Sequence, residues 1–174
     1  MGLPIVALLL VACSTGADEL EPIERPRGKY AELLAVADRW REAVLEKRTE
    51  ELVDYALPED REVIRGDLND STSTLYGVLY AGPERDLLKK VEVETMLIPH
   101  QELEEYGMGT TVCFISPEVK RPSWPISTEE LTALSGMQGV FCIFAIRAEA
   151  CEGCREERWY VTYSFADVEE GDEE

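Results

Sequence analysis

The chain has a single histidine and few basic side chains. Among 174 residues there are 17 Lys and Arg against 36 Asp and Glu, which gives a net charge of −19. A surface this acidic repels phosphate backbones, so nucleic acid is a poor candidate partner. With His100 as the only histidine, a metal cluster built from several histidines is excluded.

Sequence signatures of catalysis are also missing. There is no G-x-S-x-G, Gly-rich phosphate loop, H-E-x-x-H or calcium-loop pattern. The sequence therefore predicts no catalytic residue, no metal site and no cofactor. His100 stands between Pro99 and Gln101, ahead of several glutamates, which favours a solvated surface position. A general-base role for His100 stays open, because acid–base roles depend on geometry.

No uncharged apolar run is long enough for a permanent membrane span. Residues 1–12 are apolar and uncharged, but a spanning helix needs roughly 20 residues. The run closes on Leu10, Val11, Ala12 and Cys13, and polar residues follow from Ser14. This is typical of an export leader, although no Lys or Arg precedes Arg25. A buried strand or short helix of a cytosolic protein is the open alternative.

The tetrapeptide Leu10-Val11-Ala12-Cys13 resembles the lipobox of bacterial lipoproteins. In that family the cysteine receives a diacylglyceryl group and becomes the first residue after cleavage. The resemblance implies a signal peptide over 1–12, lipidation of Cys13 and an extracytoplasmic membrane anchor. Ser14 after the cysteine favours, in those lipoproteins, the periplasmic side of a Gram-negative outer membrane. Residues 13–28, rich in Pro, Gly and Glu, are predicted to form a flexible tether.

Residues 29–168 are predicted to form one α+β domain, followed by an acidic tail over 169–174. Apolar residues at three- and four-residue steps predict a long amphipathic helix over 29–56. Shorter helices are predicted after Pro58 and around Leu75 to Tyr80, the last one stopped by Gly82-Pro83. A helical turn capped by Ser127 is predicted over 128–134. Alternating, β-branched and aromatic residues predict four strands of a curved antiparallel sheet, at 91–97, 110–116, 140–148 and 159–167.

The long helix with Trp40, followed by a helical turn and a meander ending in RWYVTYSF, resembles the cone-shaped domains related to nuclear transport factor 2. In that family a curved sheet wraps around the helix and leaves a pocket inside. The insertion at 117–139 departs from the family's compact meander. Related domains often dimerise through the outer sheet face, so a homodimer is an expected partner. The resemblance implies five pocket candidates, for which core packing is the alternative: Trp40, Tyr76, Tyr80, Trp159 and Tyr163.

Four cysteines remain once Cys13 is set aside, and an even number in an exported chain favours disulfides. Sequence proximity favours Cys113 with Cys142 and Cys151 with Cys154, although three pairings are open. A redox role for the Cys151/Cys154 pair is disfavoured, because the surrounding glutamates oppose thiolate formation. A four-cysteine zinc site is disfavoured by the spacing of the first pair.

Trp124 lies between two prolines of the insertion, Pro122 and Pro125, and is predicted to contact a partner. The leading functional hypothesis is a lipid-anchored envelope lipoprotein that displays a non-catalytic domain for a protein partner or small ligand. One alternative is a pocket enzyme of the cone-shaped class that uses a buried carboxylate or His100. Another is a thiol–disulfide protein acting through Cys151 and Cys154.

Overall fold

The computed structural model describes residues 19–103, 107–148 and 158–163. Cys13 with the predicted leader, the loop that carries Cys151 and Cys154, and the acidic tail lie outside the described residues. The predictions made for these segments therefore stay predictions. Within the described ranges, no helix is both long and apolar enough to cross a membrane.

Five helical elements come before the sheet. They are α1 (Lys29–Glu46), α2 (Thr49–Tyr55), α3 (Arg61–Asn69), α4 (Thr74–Tyr76, extended by a π-helical turn over Gly77–Ala81) and α5 (Pro83–Leu88). A short 3-10 turn, Pro58–Asp60, leads into α3. The inner face of α1 buries Leu33, Ala37, Trp40 and Val44, whose three- and four-residue spacing places them on one stripe.

The single helix predicted over residues 29–56 is two helices in the structure. Lys47 adopts the left-handed conformation (φ 54°, ψ 42°) and ends α1. The backbone N–H groups of Lys47 and Arg48 donate to the carbonyls of Val44 and Ala43, at 3.2 and 2.8 Å. This closure satisfies carbonyls that the end of a helix leaves unpaired. The chain turns at Lys47, and α2 packs back against α1.

Gly82-Pro83 ends one helix, as predicted, but also begins another that the sequence analysis missed. Pro83 occupies the first turn of α5, where a missing N–H costs nothing. The far end of α5 is held by Arg41, which donates to the carbonyls of Leu88 (2.7 Å) and Lys90 (2.6 Å). The C-terminal end of α5 is therefore stabilised by a residue more than 40 positions away in the sequence.

Four antiparallel strands form one sheet in the order β1-β2-β3-β4, which confirms the α+β class. They are β1 (Glu94–Leu103), β2 (Gly107–Ile115), β3 (Val140–Ala148) and β4 (Arg158–Thr162). The first strand starts later than the alternation predicted. Val91 lies in the preceding turn and is 94% exposed.

Alternate residues of each strand face opposite sides of the sheet. Other elements of the chain pack against each of the two sides. We call the side that packs against α1–α5 the helical face; it carries Phe114, Phe141 and Val161. We call the other side the cap face; it carries Ile98, with Cys113 and Cys142. The insertion covers part of the cap face with helix α6 (Thr128–Ser135). The predicted Ser127 cap of α6 is confirmed as a reciprocal capping box with Glu130.

The N-terminal segment is also fixed to the domain. Leu20 is 4% exposed and forms an antiparallel bridge with Ile126, with N–H···O distances of 2.8 and 3.0 Å. Three residues later, the N–H of Ile23 donates to the carbonyl of Leu97 at 2.9 Å. The described part of the predicted tether, residues 19–28, therefore begins to contact the domain at Leu20.

Candidate functional site

The centre of the helical face is occupied by Trp40 and Tyr163, two of the predicted pocket residues. The indole N–H of Trp40 donates to the Tyr163 hydroxyl oxygen at 2.9 Å. That hydroxyl in turn donates to the backbone carbonyl of Leu52 at 2.8 Å. Trp40 also stacks on Phe114 and Phe141, with ring centroids 5.9 and 6.2 Å apart. These contacts join α1, α2 and the sheet.

The environment of this pair is dry. Trp40 is 0% exposed and Tyr163 is 8% exposed, so no water-sized space borders the indole ring. Burial raises the pKa of the Tyr163 phenol far above its usual value, while the hydrogen bond from the Trp40 N–H acts in the opposite direction. The hydroxyl is therefore a neutral structural hydrogen-bonding group.

Tyr80 and Tyr76 form a second group near the end of α1. The rings meet edge to face at 5.2 Å, and the Tyr80 hydroxyl lies 3.1 Å from the Thr49 side-chain oxygen. The Lys47 ammonium lies 5.3 Å from the Tyr76 ring centroid and 5.2 Å from that of Tyr80, within cation–π range. This group closes the turn between α1 and α2 rather than opening onto a cavity.

Trp159 lies apart from both groups. It is 3% exposed, and its indole N–H donates to the backbone carbonyl of Lys29 at 2.8 Å. The Tyr30 ring packs beside it at 6.2 Å. The five predicted pocket residues therefore make their polar and ring contacts in three groups, all within one packed core cluster. They share the helical side of the sheet but do not line one open space among the described residues.

His100 lies on the cap face, on the opposite side of the sheet from Trp40. Its Nε2 atom is 2.6 Å from the Thr111 hydroxyl oxygen, and its ring meets Phe144 edge to face at 5.3 Å. The histidine is partly buried, not fully solvated as the sequence favoured. Because the sheet separates it from the Trp40 group, the two do not form one site.

Acidic groups do not supply a buried catalytic centre within the described ranges. The buried polar side chains there are Thr110, Thr111 and Ser116, and none is a carboxylate. The described residues also contain no group of three or more His, Cys, Asp or Glu side chains able to hold a metal ion. Asp54 is an example of a carboxylate at the surface rather than in the core. Two arginines form ion pairs with it, and the hydrogen bond from Arg158 lowers the pKa of its carboxyl.

One shallow, open depression of about 370 Å³ lies at the junction of the turn before β1 and the loop after β2. The buried Ser116 hydroxyl, one of its lining groups, has no hydrogen-bond partner among the described residues. The depression contains none of the predicted pocket residues. Its lining combines one cation, two carboxylates and small side chains: Lys90, Val91, Glu92, Ser116, Pro117 and Glu118.

The predicted disulfide between Cys113 and Cys142 is confirmed. The two residues face each other directly across β2 and β3, with Cα atoms 4.0 Å apart. They lie on the cap face beneath a cluster that includes Leu131 and Leu134 of α6. The bridge joins the two central strands where the insertion packs onto them.

The chain was compared with known families, proteins and structures, and no match was found. No family model, no curated protein and no solved structure matches it.

Trp124, the predicted partner contact, is partly exposed at the edge of the cap. Its ring packs against the cap-face cluster together with Val119. It lies two residues before Ile126, to which Leu20 is bridged. The sequence analysis missed this neighbour, because Leu20 is an isolated apolar residue within a segment rich in Pro, Gly and Glu.

Proposed function

We propose that this chain is a lipid-anchored envelope lipoprotein. It displays one α+β domain that recognises a protein partner or small ligand through its surface, without catalysis. The observation that carries the proposal is the sequence Leu10-Val11-Ala12-Cys13 at the close of an apolar run. The Cys113–Cys142 disulfide supports it, because such bonds persist mainly in oxidising compartments outside the cytosol. Ser14 favours the periplasmic side of a Gram-negative outer membrane.

Surface recognition is favoured because the interior of the helical face is filled. Trp40, Tyr163 and Leu52 satisfy one another's polar atoms there, and water-sized space is absent around the indole. The pocket-enzyme alternative gains no support from the described residues, since His100 lies across the sheet from this group. The thiol–disulfide alternative concerns Cys151 and Cys154, outside the described residues.

A cone-shaped domain related to nuclear transport factor 2 is part of the proposal. Helices packed on one face of a four-stranded antiparallel sheet support it. The cap over the opposite face is a departure, and it occupies part of the surface through which related domains dimerise. A homodimer is therefore not included in the proposal.

The anchor is tested by expressing the full chain in a Gram-negative bacterium with a clickable fatty acid. We expect label on the protein and an intact mass that begins at a diacylated Cys13, because the lipobox directs both acylation and cleavage. A Cys13→Ser variant is the matched control and should lose the label. A full-length, unlabelled product in the cytosol would contradict the proposal.

A further inference from the structure

We infer that the edge of the cap at the partly exposed Trp124, beside the buried Ile126, is the surface that lies against the lipid bilayer. This inference rests on the proposed lipid anchor at Cys13, and the structure adds the orientation. The occupant is the headgroup layer of the membrane, and a protein partner at the same surface is the competing outcome of the test below.

Only a short stretch of chain separates the proposed anchor from the domain. Leu20 is bridged to Ile126 by two backbone hydrogen bonds. Seven residue steps separate Leu20 from Cys13, and a fully extended chain reaches about 3.6 Å per step. Whatever conformation that segment takes, the Cα of Cys13 lies within about 25 Å of the Cα of Leu20.

This reach is shorter than the width of the domain. A folded chain of about 145 residues has a radius of gyration of about 15 Å, which corresponds to a sphere about 38 Å across. A segment of about 25 Å cannot pass around such a body to the far side of α1–α5. The acylated sulfur therefore holds the Leu20 side of the domain toward the membrane and the helical side toward the periplasm.

The loop beside Ile126 differs in charge from the rest of the chain. Between Val119 and Thr128 the chain has no acidic residue, although 36 of its 174 residues are acidic. This stretch carries Lys120, Arg121 and the partly exposed Trp124. Tryptophan, lysine and arginine are the side chains that favour the headgroup region of a bilayer.

The flanking charges limit what the loop contributes. Arg121 is paired with Glu94, and Glu118, Glu129 and Glu130 border the loop. Their charge offsets the attraction of the two cations for anionic lipid. The acyl chains therefore supply the affinity for the membrane. The short segment between Cys13 and Leu20, together with Trp124, sets the orientation of the domain. Contact is expected even on a zwitterionic bilayer.

The test compares lysine reactivity on and off the membrane. The acylated full chain, with the diacylglyceryl group on Cys13 verified by intact mass, is placed in phosphatidylcholine vesicles. It is then labelled with an amine-reactive acetylating reagent and mapped by mass spectrometry. The Cys13→Ser variant in solution is the reference. Exposed Lys47 and Lys89, both on the helical side, are internal controls.

We expect the reactivity of Lys120 to fall several-fold on vesicles, while Lys47 and Lys89 keep their solution reactivity. Equal reactivity of Lys120 in an acylated, vesicle-bound protein overturns the inference and leaves the anchor standing. So does protection of Lys120 that is seen in whole cells but not on vesicles, because that pattern indicates a protein partner. An unmodified Cys13 overturns the proposed function and this inference with it.

A second measurement uses the tryptophan itself. Acyl chains brominated near the headgroup should quench part of the emission of the vesicle-bound chain. A Trp124→Phe variant should lose that quenching, because Trp40 and Trp159 are buried on the helical face. Quenching that is unchanged in Trp124→Phe contradicts contact through Trp124. The lysine measurement needs no variant within the folded domain, so it decides the question even if Trp124→Phe folds poorly.

Discussion

Tyr163 is the residue on which three elements of the domain meet. From the end of β4, its hydroxyl accepts a hydrogen bond from Trp40 on α1 and donates one to the Leu52 carbonyl on α2. Both partners are buried, so neither can turn to water if the hydroxyl is removed. A buried polar group without a partner costs more than the net value of the hydrogen bond it has lost.

A Tyr163→Phe substitution should therefore lower the free energy of unfolding by about 1–3 kcal/mol. Urea denaturation followed by circular dichroism measures this. Tyr76→Phe is the matched control, because the Tyr76 hydroxyl has only a long, exposed 3.5 Å contact with the Lys47 ammonium. That variant should change stability by less than about 0.5 kcal/mol. Equal losses in the two variants would show that the Tyr163 network contributes nothing specific.

Tyr163 also contributes to the change of stability at alkaline pH. Burial raises its pKa above the usual value of 10.0, and burial also raises the pKa of Tyr80. Above about pH 10 the unfolded phenol loses its proton while the folded one keeps it. The folded state then binds more protons than the unfolded state, so the free energy of unfolding falls as pH rises.

We expect full stability from this group below about pH 10, and a loss above it of up to about 1.4 kcal/mol per pH unit. Urea midpoints measured between about pH 9 and 11.5 test this. Tyr163→Phe should show a shallower decline than the natural chain. Parallel declines would mean that Tyr163 ionises equally in both states.

At the scale of elements, the two central strands and the cap depend on one covalent bond. Cys113 and Cys142 join β2 to β3 under α6, and the bridge spans a sequence separation of 29 residues. Closing a loop of this length restricts the unfolded chain considerably. The bond also fixes the register of β2 against β3 at the place where the insertion packs.

Replacing both Cys113 and Cys142 by Ala should lower the free energy of unfolding by about 2–4 kcal/mol, because the unfolded chain regains its freedom. Urea denaturation without reductant measures the loss. The control is the Cys151→Ala, Cys154→Ala double variant. A bridge there would close a much shorter loop, so the expected effect is smaller. A larger loss of stability in the control would contradict the assignment of Cys113–Cys142 as the main stabilising disulfide.

The helices and strands also differ in how well the local sequence predicts them. Alternation and β-branching placed β2 and β3, and the Ser127 signature placed α6, because these signals act over a few residues. The break at Lys47 was missed, since a lysine carries no local signal for a left-handed conformation. Helix α5 was missed because its last carbonyls are paired by Arg41, far away in the sequence.

At the scale of the whole molecule, the main electrostatic property is the net charge of −19. Some carboxylates share an arginine: Arg48 contacts Glu42, Glu46 and Glu51, and Arg65 contacts Glu50 and Glu62. These pairs are largely exposed, and exposed pairs contribute little. The many remaining carboxylates repel one another, and compaction on folding brings them closer.

Screening should therefore stabilise the domain. We expect the melting temperature to rise as sodium chloride increases from about 20 to 200 mM, because the Debye length shortens from about 20 Å to less than 10 Å. Differential scanning fluorimetry measures the shift. Potassium chloride at equal ionic strength should give the same shift, whereas a difference would indicate binding of a specific ion. A fall with salt would show that ion pairs outweigh the repulsion.

The sequence by itself determined the α+β class, and it favoured the Cys113–Cys142 pair among three open pairings. Periodicity and spacing are local properties, so they can be seen without a fold. Only the tertiary structure decided that Trp40 and Tyr163 fill the space predicted to be a pocket, that His100 lies across the sheet, and that Leu20 is bridged to Ile126. Each of these depends on which distant group occupies the neighbouring volume, and local spacing carries no record of that.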